Sequence, residues 1–292
     1  YGYPVEKDML YVTDDDQVAF APLGEHFAEA LAFFRKLYGE GLLDIETFTQ
    51  GDSEYTAKGN KGIYGLYFEW FGNPTVGAAY FEQYEVLAPL QGPYARLWPN
   101  LGTRGFSGTS GAAISAYAKD PVLCLRYIDY LMGDEVSMQT SRGPIDIVLY
   151  EGADGLYRSF DAPDGMSDDE FRVTNAPAEA LPFALMRETV AKIVLPDSFQ
   201  RKSTVYFPVN EPYLAKKFLP ALNFTAEENE RLSVLRTDIT TYIDIMIPAF
   251  ITGQESIEKG YEGFLNQLER IGIDEYLSIH QKAYDNYLKA ME

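Results

Sequence analysis

Two tryptophans, Trp70 and Trp98, stand among 22 tyrosines and 18 phenylalanines in a chain of 292 residues. Trp70 falls in Tyr67-Phe68-Glu69-Trp70-Phe71-Gly72-Asn73, where an apolar run meets a polar loop, and Trp98 falls between Leu97 and Pro99. An indole offers a flat apolar face. Glu69, Asn73, Arg104 and Ser107 offer hydrogen-bonding groups close by in the chain. Apolar faces with a few placed polar groups are what a small-molecule pocket needs, and a sugar ring, apolar on one side and hydroxylated at its edge, is suited to that mixture. Tyr206, in Val205-Tyr206-Phe207-Pro208, is a further stacking candidate. Each residue has a structural alternative: Trp70 as core, Trp98 as a loop anchor, and Tyr206 as one of many tyrosines that fill space.

Covalent chemistry finds no comparable arrangement. Gly105-Phe106-Ser107-Gly108 is one residue short of a nucleophile elbow, and no Gly-x-Ser-x-Gly stands between a strand and a helix. A Gly-x-x-x-x-Gly-Lys-Ser/Thr phosphate loop is absent too. Paired carboxylates for glycoside hydrolysis stay open as an alternative, because 44 acidic residues are available but abundance does not place two of them across a bond. Asp14-Asp15-Asp16 lacks the ligand spacing and the glycine of a calcium loop, and reads as a solvated turn. His26 and His280 are the only histidines; neither has a partner at zinc-ligand spacing, so both read as ordinary helix residues. No metal and no cofactor is expected.

The formal charge of −20 would repel phosphate backbones and anionic membrane surfaces, so nucleic acid is excluded as a natural partner. Hydrophobic content of 46% excludes general disorder, and the length allows one large domain or two. Cys124 is the only cysteine, so no internal disulfide forms, and its apolar run Val122–Leu125 reads as buried. No apolar run reaches 18 residues. The chain opens Tyr1-Gly2-Tyr3-Pro4, with no charged and apolar leader and no lipid-attachment cysteine ahead of it, and reads as a processed or truncated piece.

The elements that must position these groups begin in residues 14–50: a polar turn, a short strand and an amphipathic helix. Phe27, Ala30, Leu31, Phe34, Leu37 and Tyr38 make the apolar stripe, and Gly39 and Gly41 supply stop signals. Gly62–Phe68, Tyr84–Leu90 and Ala112–Tyr117 read as strands, with a short helix or turn at Tyr80–Glu82 and a Gly/Pro-dense loop at 91–111. Trp70 would then lie at the carboxyl end of a strand, where open α/β sheets gather ligands. Asp120-Pro121 predicts a capped helix to Gly133, and Asp134 starts a second one ending near Arg142. Residues 151–180 read as loops or a small hairpin, Leu181-Pro182 opens a helix through Met186 and Val190, and 196–224 wind over the surface. Thr225-Ala226-Glu227-Glu228 is a capping box before a long helix to about Ile247, interrupted by Pro248. Ser256 precedes a helix reaching Gly272, and Asp274 caps a last helix ending near Ala290.

Several of these stretches resemble one family. Lys36-Leu37-Tyr38-Gly39-Glu40-Gly41-Leu42-Leu43-Asp44 is similar to a "LYxEGLID"-type stretch of the large extracellular solute-binding proteins of bacterial ABC importers, in the lipoprotein group of alginate-type oligosaccharide binders. The Asp-Pro-capped helix with Arg126-Tyr127-Ile128-Asp129-Tyr130-Leu131 resembles the family's lobe-crossing segment, though Gly143–Tyr150 departs at Pro144 and Ile147 from a "GIEGVHY"-like pattern. Phe250-Ile251-Thr252-Gly253 and Gln281–Tyr287 resemble its "FITG…QKAYDRY" ending, with Asn286 in place of arginine. The resemblance implies a two-lobed α/β fold of the type II periplasmic-binding-protein kind, represented mainly by its C-terminal lobe with a helical C-terminus. Residues 1–111 and 176–292 would build that lobe, and 112–175 would visit the other. It further implies a protein that captures a carbohydrate or oligosaccharide for an ABC transporter permease, without catalysis, as a monomer at the cell surface (lipid-anchored), outside the cell or in the periplasm. Calcium sites, where relatives have them, belong to a portion this chain lacks. The alternatives are a binder of peptide or another solute, a polysaccharide-acting enzyme, and an adhesive surface protein.

Overall fold

The computed structural model describes residues 1–5, 7–68, 75–100, 112–166, 168–177, 181, 183–196 and 205–291. The longer helices are α1 (Phe27–Gly39), α2 (Asp52–Gly59), α3 (Pro121–Leu131), α4 (Asp134–Arg142), α5 (Asp168–Asn175), α6 (Ala226–Thr252), α7 (Ile257–Ile271) and α8 (Ile273–Met291). The strands are β1 (Leu10–Val12), β2 (Val18–Phe20), β3 (Leu149–Glu151), β4 (Tyr157–Ser159) and β5 (Ile193–Val194). The chain divides into two compact units, Tyr1–Gln50 with Leu87–Ser107 and Asn210–Glu292, and Gly51–Val86 with Gly108–Val209.

In the first unit β1 and β2 pair antiparallel, Leu10 opposite Phe20 and Val12 opposite Val18. The two-residue period of a strand sends these four apolar side chains to one buried face. The turn between them is closed by Thr13 N–H donating to the Gln17 carbonyl at 2.9 Å and Asp16 N–H to the Thr13 carbonyl at 3.1 Å. Asp16 sits in the left-handed region at φ 64°, which asparagine and aspartate tolerate better than other side-chain-bearing residues. Helix α1 buries Phe27, Ala30 and Leu31 as its periodicity predicts, while Phe34 on the same stripe is left exposed.

The three C-terminal helices supply most of this unit's core. Thr225 and Glu228 make the reciprocal capping box at the start of α6, which buries Leu232, Leu235, Ile239, Ile243, Phe250 and Ile251. Pro248 does not interrupt it, contrary to expectation. A proline's fixed φ is itself helical, the burial of Phe250 and Ile251 holds the following turn, and the Thr252 hydroxyl donates back to the Pro248 carbonyl at 2.8 Å. Ser256 caps α7, and Gly272 ends it at φ 112°. The last helix starts at Ile273, so Asp274 lies in its first turn rather than capping it; there the carboxylate still favours the positive end of the helix. Phe250, Phe264, Leu268, Ile273 and Tyr276 are almost fully buried in one cluster with β1, β2 and α1.

The second unit has a thinner interior: Val76, Phe81, Leu131, Met138, Val148 and Leu149 are its buried apolar residues among those described. Asp120 caps α3 by accepting from Leu123 N–H, with Pro121 at the first helical position, as predicted. β3 and β4 form a small hairpin, one of the two readings open for 151–180 though it begins at Leu149, and β5 adds to β4 in parallel. Helix α5 was not anticipated.

Several expectations fail here. Gly62–Phe68, Tyr84–Leu90 and Ala112–Tyr117 are not strands. Their composition suits a buried strand, but a strand exists only where a second strand pairs with it, and among the described residues these stretches take part in no strand ladder. Ile63, Leu66, Phe68, Leu87, Leu90 and Tyr117 are exposed accordingly. Local tyrosine contacts order this region instead: Tyr64 donates to the Tyr55 carbonyl at 3.0 Å, Tyr84 donates to the Tyr64 carbonyl, and the Tyr67 and Tyr84 rings meet edge to face. The helix expected from Leu181 to Val190 shrinks to the single turn Arg187–Val190, because the residues that would carry it, Phe183 and Met186, find no buried face. Val122, Leu123 and Leu125 on α3 are exposed, so Cys124 is only partly covered rather than buried.

Candidate functional site

Trp98 is the sequence-predicted site residue whose surroundings the structure describes most fully. It lies in the first unit on an extended segment that ends at Pro99, and a residue before proline is driven to extended backbone. Its N–H donates to the Tyr213 carbonyl at 2.7 Å, and its carbonyl accepts from Ala215 N–H at 2.9 Å, which makes a parallel bridge to Leu214. The side-chain amide of Asn100 donates to the Ala215 carbonyl at 2.9 Å and extends this pairing. The indole is 38% exposed, with Leu97 and Leu214 exposed on the same short ladder.

Both segments of the ladder are braced. Arg96 holds its guanidinium 4.0 Å above the Tyr213 ring and donates through Nε to the Pro89 carbonyl at 2.6 Å. Tyr94 reaches α1: its ring stacks on His26 at 3.5 Å and 7°, and its hydroxyl donates to both oxygens of Glu29, at 2.9 and 2.7 Å. That bond pushes the Tyr94 phenol up to about 12 and holds the Glu29 carboxyl below its usual range. On the partner segment, Lys216 pairs with Asp14 at 3.2 Å and Lys217 with Asp16 at 2.8 Å. Asp16 also accepts from the Tyr284 hydroxyl at 3.0 Å, and the bonds from Lys217 and Tyr284 keep its carboxyl low. The acidic turn is solvated at Asp14 and Asp15, as expected, and Asp16 adds an anchor to it. Chemically, the arrangement presents a part-exposed indole on a fixed backbone, with no nucleophile–base pair beside it among the described residues. Among the described residues no group of three or more His, Cys, Asp or Glu could hold a metal ion.

Tyr206 belongs to the second unit, partly buried in a π-helical turn that runs into the helical residues Phe207–Asn210. Trp70, Glu69, Asn73, Arg104 and Ser107 lie outside the described residues. Sequence reasoning missed Tyr94, Arg96 and Tyr213. The signal available for them was weak: aromatic and basic residues alternating with prolines in 89–99, and Pro212 before Tyr213. The histidines are more engaged than expected. His26 packs on Tyr94, and His280 is buried with Nδ1 2.8 Å from the Tyr276 carbonyl. A depression of about 460 Å³ elsewhere in the first unit is lined by Asp8, Arg236, Tyr276 and His280 among others, but Asp8 and Arg236 already neutralise each other at 2.8 Å.

No protein-family model matches the chain. It is 26% identical over 305 residues to the fructooligosaccharide ABC transporter substrate-binding protein FusA of Streptococcus pneumoniae serotype 4, covering 98% of this chain and 54% of that protein. Among solved structures, S. pneumoniae FusA with kestose superposes with a TM-score of 0.86 at 23% identity, covering 99% of this chain and 59% of that one. An HMO-binding, ABC-transporter-associated solute-binding protein from Bifidobacterium longum infantis gives 0.73 at 16% identity over 96% of this chain and 57% of that one. The alginate-binding protein AlgQ2 gives 0.65 at 17% identity over 95% and 58%. The fold is that of these two-lobed solute-binding proteins, and the chain spans about half the length of the relatives it matches.

Proposed function

We propose that this chain is part of the substrate-binding component of an ABC importer, and that its solute is an oligosaccharide. The observation that carries the reading is similarity along nearly the whole chain to a fructooligosaccharide-binding protein of the same fold. Trp98, half-exposed on a braced backbone, supplies the kind of stacking face a sugar needs. Binding and release, with no bond made or broken, is the activity proposed; a permease is the partner, and the protein works as a monomer outside the cell or in the periplasm. No helix among the described residues is long and apolar enough to cross a membrane. Trp70, Glu69, Asn73, Arg104, Ser107 and Tyr206 are proposed with Trp98 as ligand contacts. In the lobe division proposed, residues 1–111 and 176–292 form the C-terminal lobe and 112–175 visit the other; the compact units differ from it in grouping 51–86, 108–111 and 176–209 with the latter.

Calorimetric titration of the protein with kestose, nystose, human-milk and alginate oligosaccharides and a peptide pool tests the reading. Saturable heat with one sugar class and none with peptides is expected. Binding of peptides alone, or release of shortened products from a polysaccharide, would replace it.

A further inference from the structure

The loop carrying Trp98 is closed at its base, where Arg96 bonds the Pro89 carbonyl at 2.6 Å and Gly92 N–H donates to the Ala95 carbonyl at 2.9 Å. Between these ties Tyr94 leaves the loop and docks on α1, its ring against His26 and its hydroxyl on Glu29. The fold itself does not require this contact. Tyr94 is 47% exposed, whereas α1 is held through Phe27, Ala30 and Leu31 on its buried face. Its consequence therefore falls on the loop. Two positions further on, Arg96 covers Tyr213, and two further still Trp98 bonds the Tyr213 carbonyl. Movement of Tyr94 would pass directly into the strand that presents the indole.

We propose that Tyr94 is a positioning residue for Trp98, docking the indole-bearing loop onto α1 so that solute meets a pre-set stacking face. The inference rests on the reading of Trp98 as a ligand contact. A side chain already held in its bound geometry loses less freedom on binding, so the dock acts on affinity without touching the solute. His26 and Glu29 act together in it: Tyr94→Phe keeps the stack and loses the Glu29 bond, while Tyr94→Ala loses both.

The test uses a background in which Trp70 and any tryptophan outside this chain are replaced by Phe, excited where tyrosine does not absorb so that Trp98 is read alone, with affinity measured separately by calorimetry in the protein that keeps Trp70. Tyr94→Ala should raise acrylamide quenching of Trp98 about twofold, lower its anisotropy and weaken kestose binding about tenfold. Tyr94→Phe and Glu29→Gln should fall between it and the parent, and circular dichroism should be unchanged throughout. Unchanged quenching and anisotropy in Tyr94→Ala and Glu29→Gln would overturn the inference, as would altered quenching with unaltered affinity while Trp98→Ala still weakens binding. If Trp98→Ala leaves affinity intact, the reading beneath it fails instead, and the two failures are told apart.

Discussion

The side-chain amide of Gln281 in α8 accepts from Val18 N–H at 2.6 Å and donates to the Asp16 carbonyl at 3.0 Å, so one glutamine pairs with the backbone on both sides of Gln17. Three residues further, just under one helical turn, the Tyr284 hydroxyl donates to the Asp16 carboxylate. These two residues of the "QKAYD" stretch thus hold the β1–β2 turn. Through Asp16 they reach Lys217 and the segment paired with Trp98.

Replacing Gln281 by Leu should lower stability by about 1–3 kcal/mol, since two part-buried backbone groups lose their partner. Gln281→Glu should lie between, keeping the acceptor for Val18 N–H and losing the donor to Asp16. Urea unfolding reads both, and equal effects from the two variants would show that only one of the bonds matters.

Asp16 should tolerate Asn better than Ala. Both lose the charge that Lys217 meets in a part-exposed pair, but Ala adds about 1 kcal/mol for φ 64°. A thermal-melt series of Asp16→Asn, →Gly and →Ala is expected to rank the last lowest.

Gly272→Ala is expected to be costly despite its small size. The backbone stands at φ 112°, and a Cβ would come within 2.9 Å of Leu235 Cδ2 in the buried cluster. A loss of about 1–3 kcal/mol follows from the backbone alone. Gly263→Ala, with open space around its Cβ position, is the control and should hold or raise the melting temperature.

Stability should fall as the pH drops below neutrality, and His280 should be one cause. Burial lowers its folded-state pKa from 6.5, so from about that pH downward the unfolded chain binds a proton that the folded one refuses. The native state is therefore fully favoured above the ordinary imidazole range and loses ground as pH falls through the folded value. Melting curves from pH 7.5 to 5.0 should show a shallower decline in His280→Gln than in the parent. Identical slopes would assign the dependence to other groups.

Acid should weaken the start of α6 later than most carboxylates would suggest. Lys282 at 2.7 Å and the Thr225 cap hold Glu228 down at about 2, so its contribution is fully present at neutral pH, declines once pH falls below the ordinary glutamate range, and is gone only below that value. Lys282→Met should move the loss of the cap toward the ordinary glutamate range, read by far-ultraviolet circular dichroism between pH 5 and 2.

By itself the sequence determined the local, self-contained features. Asp120-Pro121 and Thr225–Glu228 cap their helices because the capping side chain lies within three residues of the groups it satisfies. The stripe Phe27, Ala30, Leu31 and the stop at Gly272 follow equally from spacing and backbone freedom. Resemblance in Lys36–Asp44 and Gln281–Tyr287 added the fold. Tertiary structure alone decided what depends on distant partners. Gly62–Phe68 has the composition of a strand but joins no strand ladder among the described residues, and Pro248 stays inside a helix because Phe250 and Ile251 are buried beyond it. Trp98 acquires its setting from Tyr213–Ala215, more than a hundred residues away, and Tyr94 from His26 and Glu29. No periodicity encodes such pairings, since stacking and hydrogen bonding act across space and leave no mark on the spacing of residues along the chain.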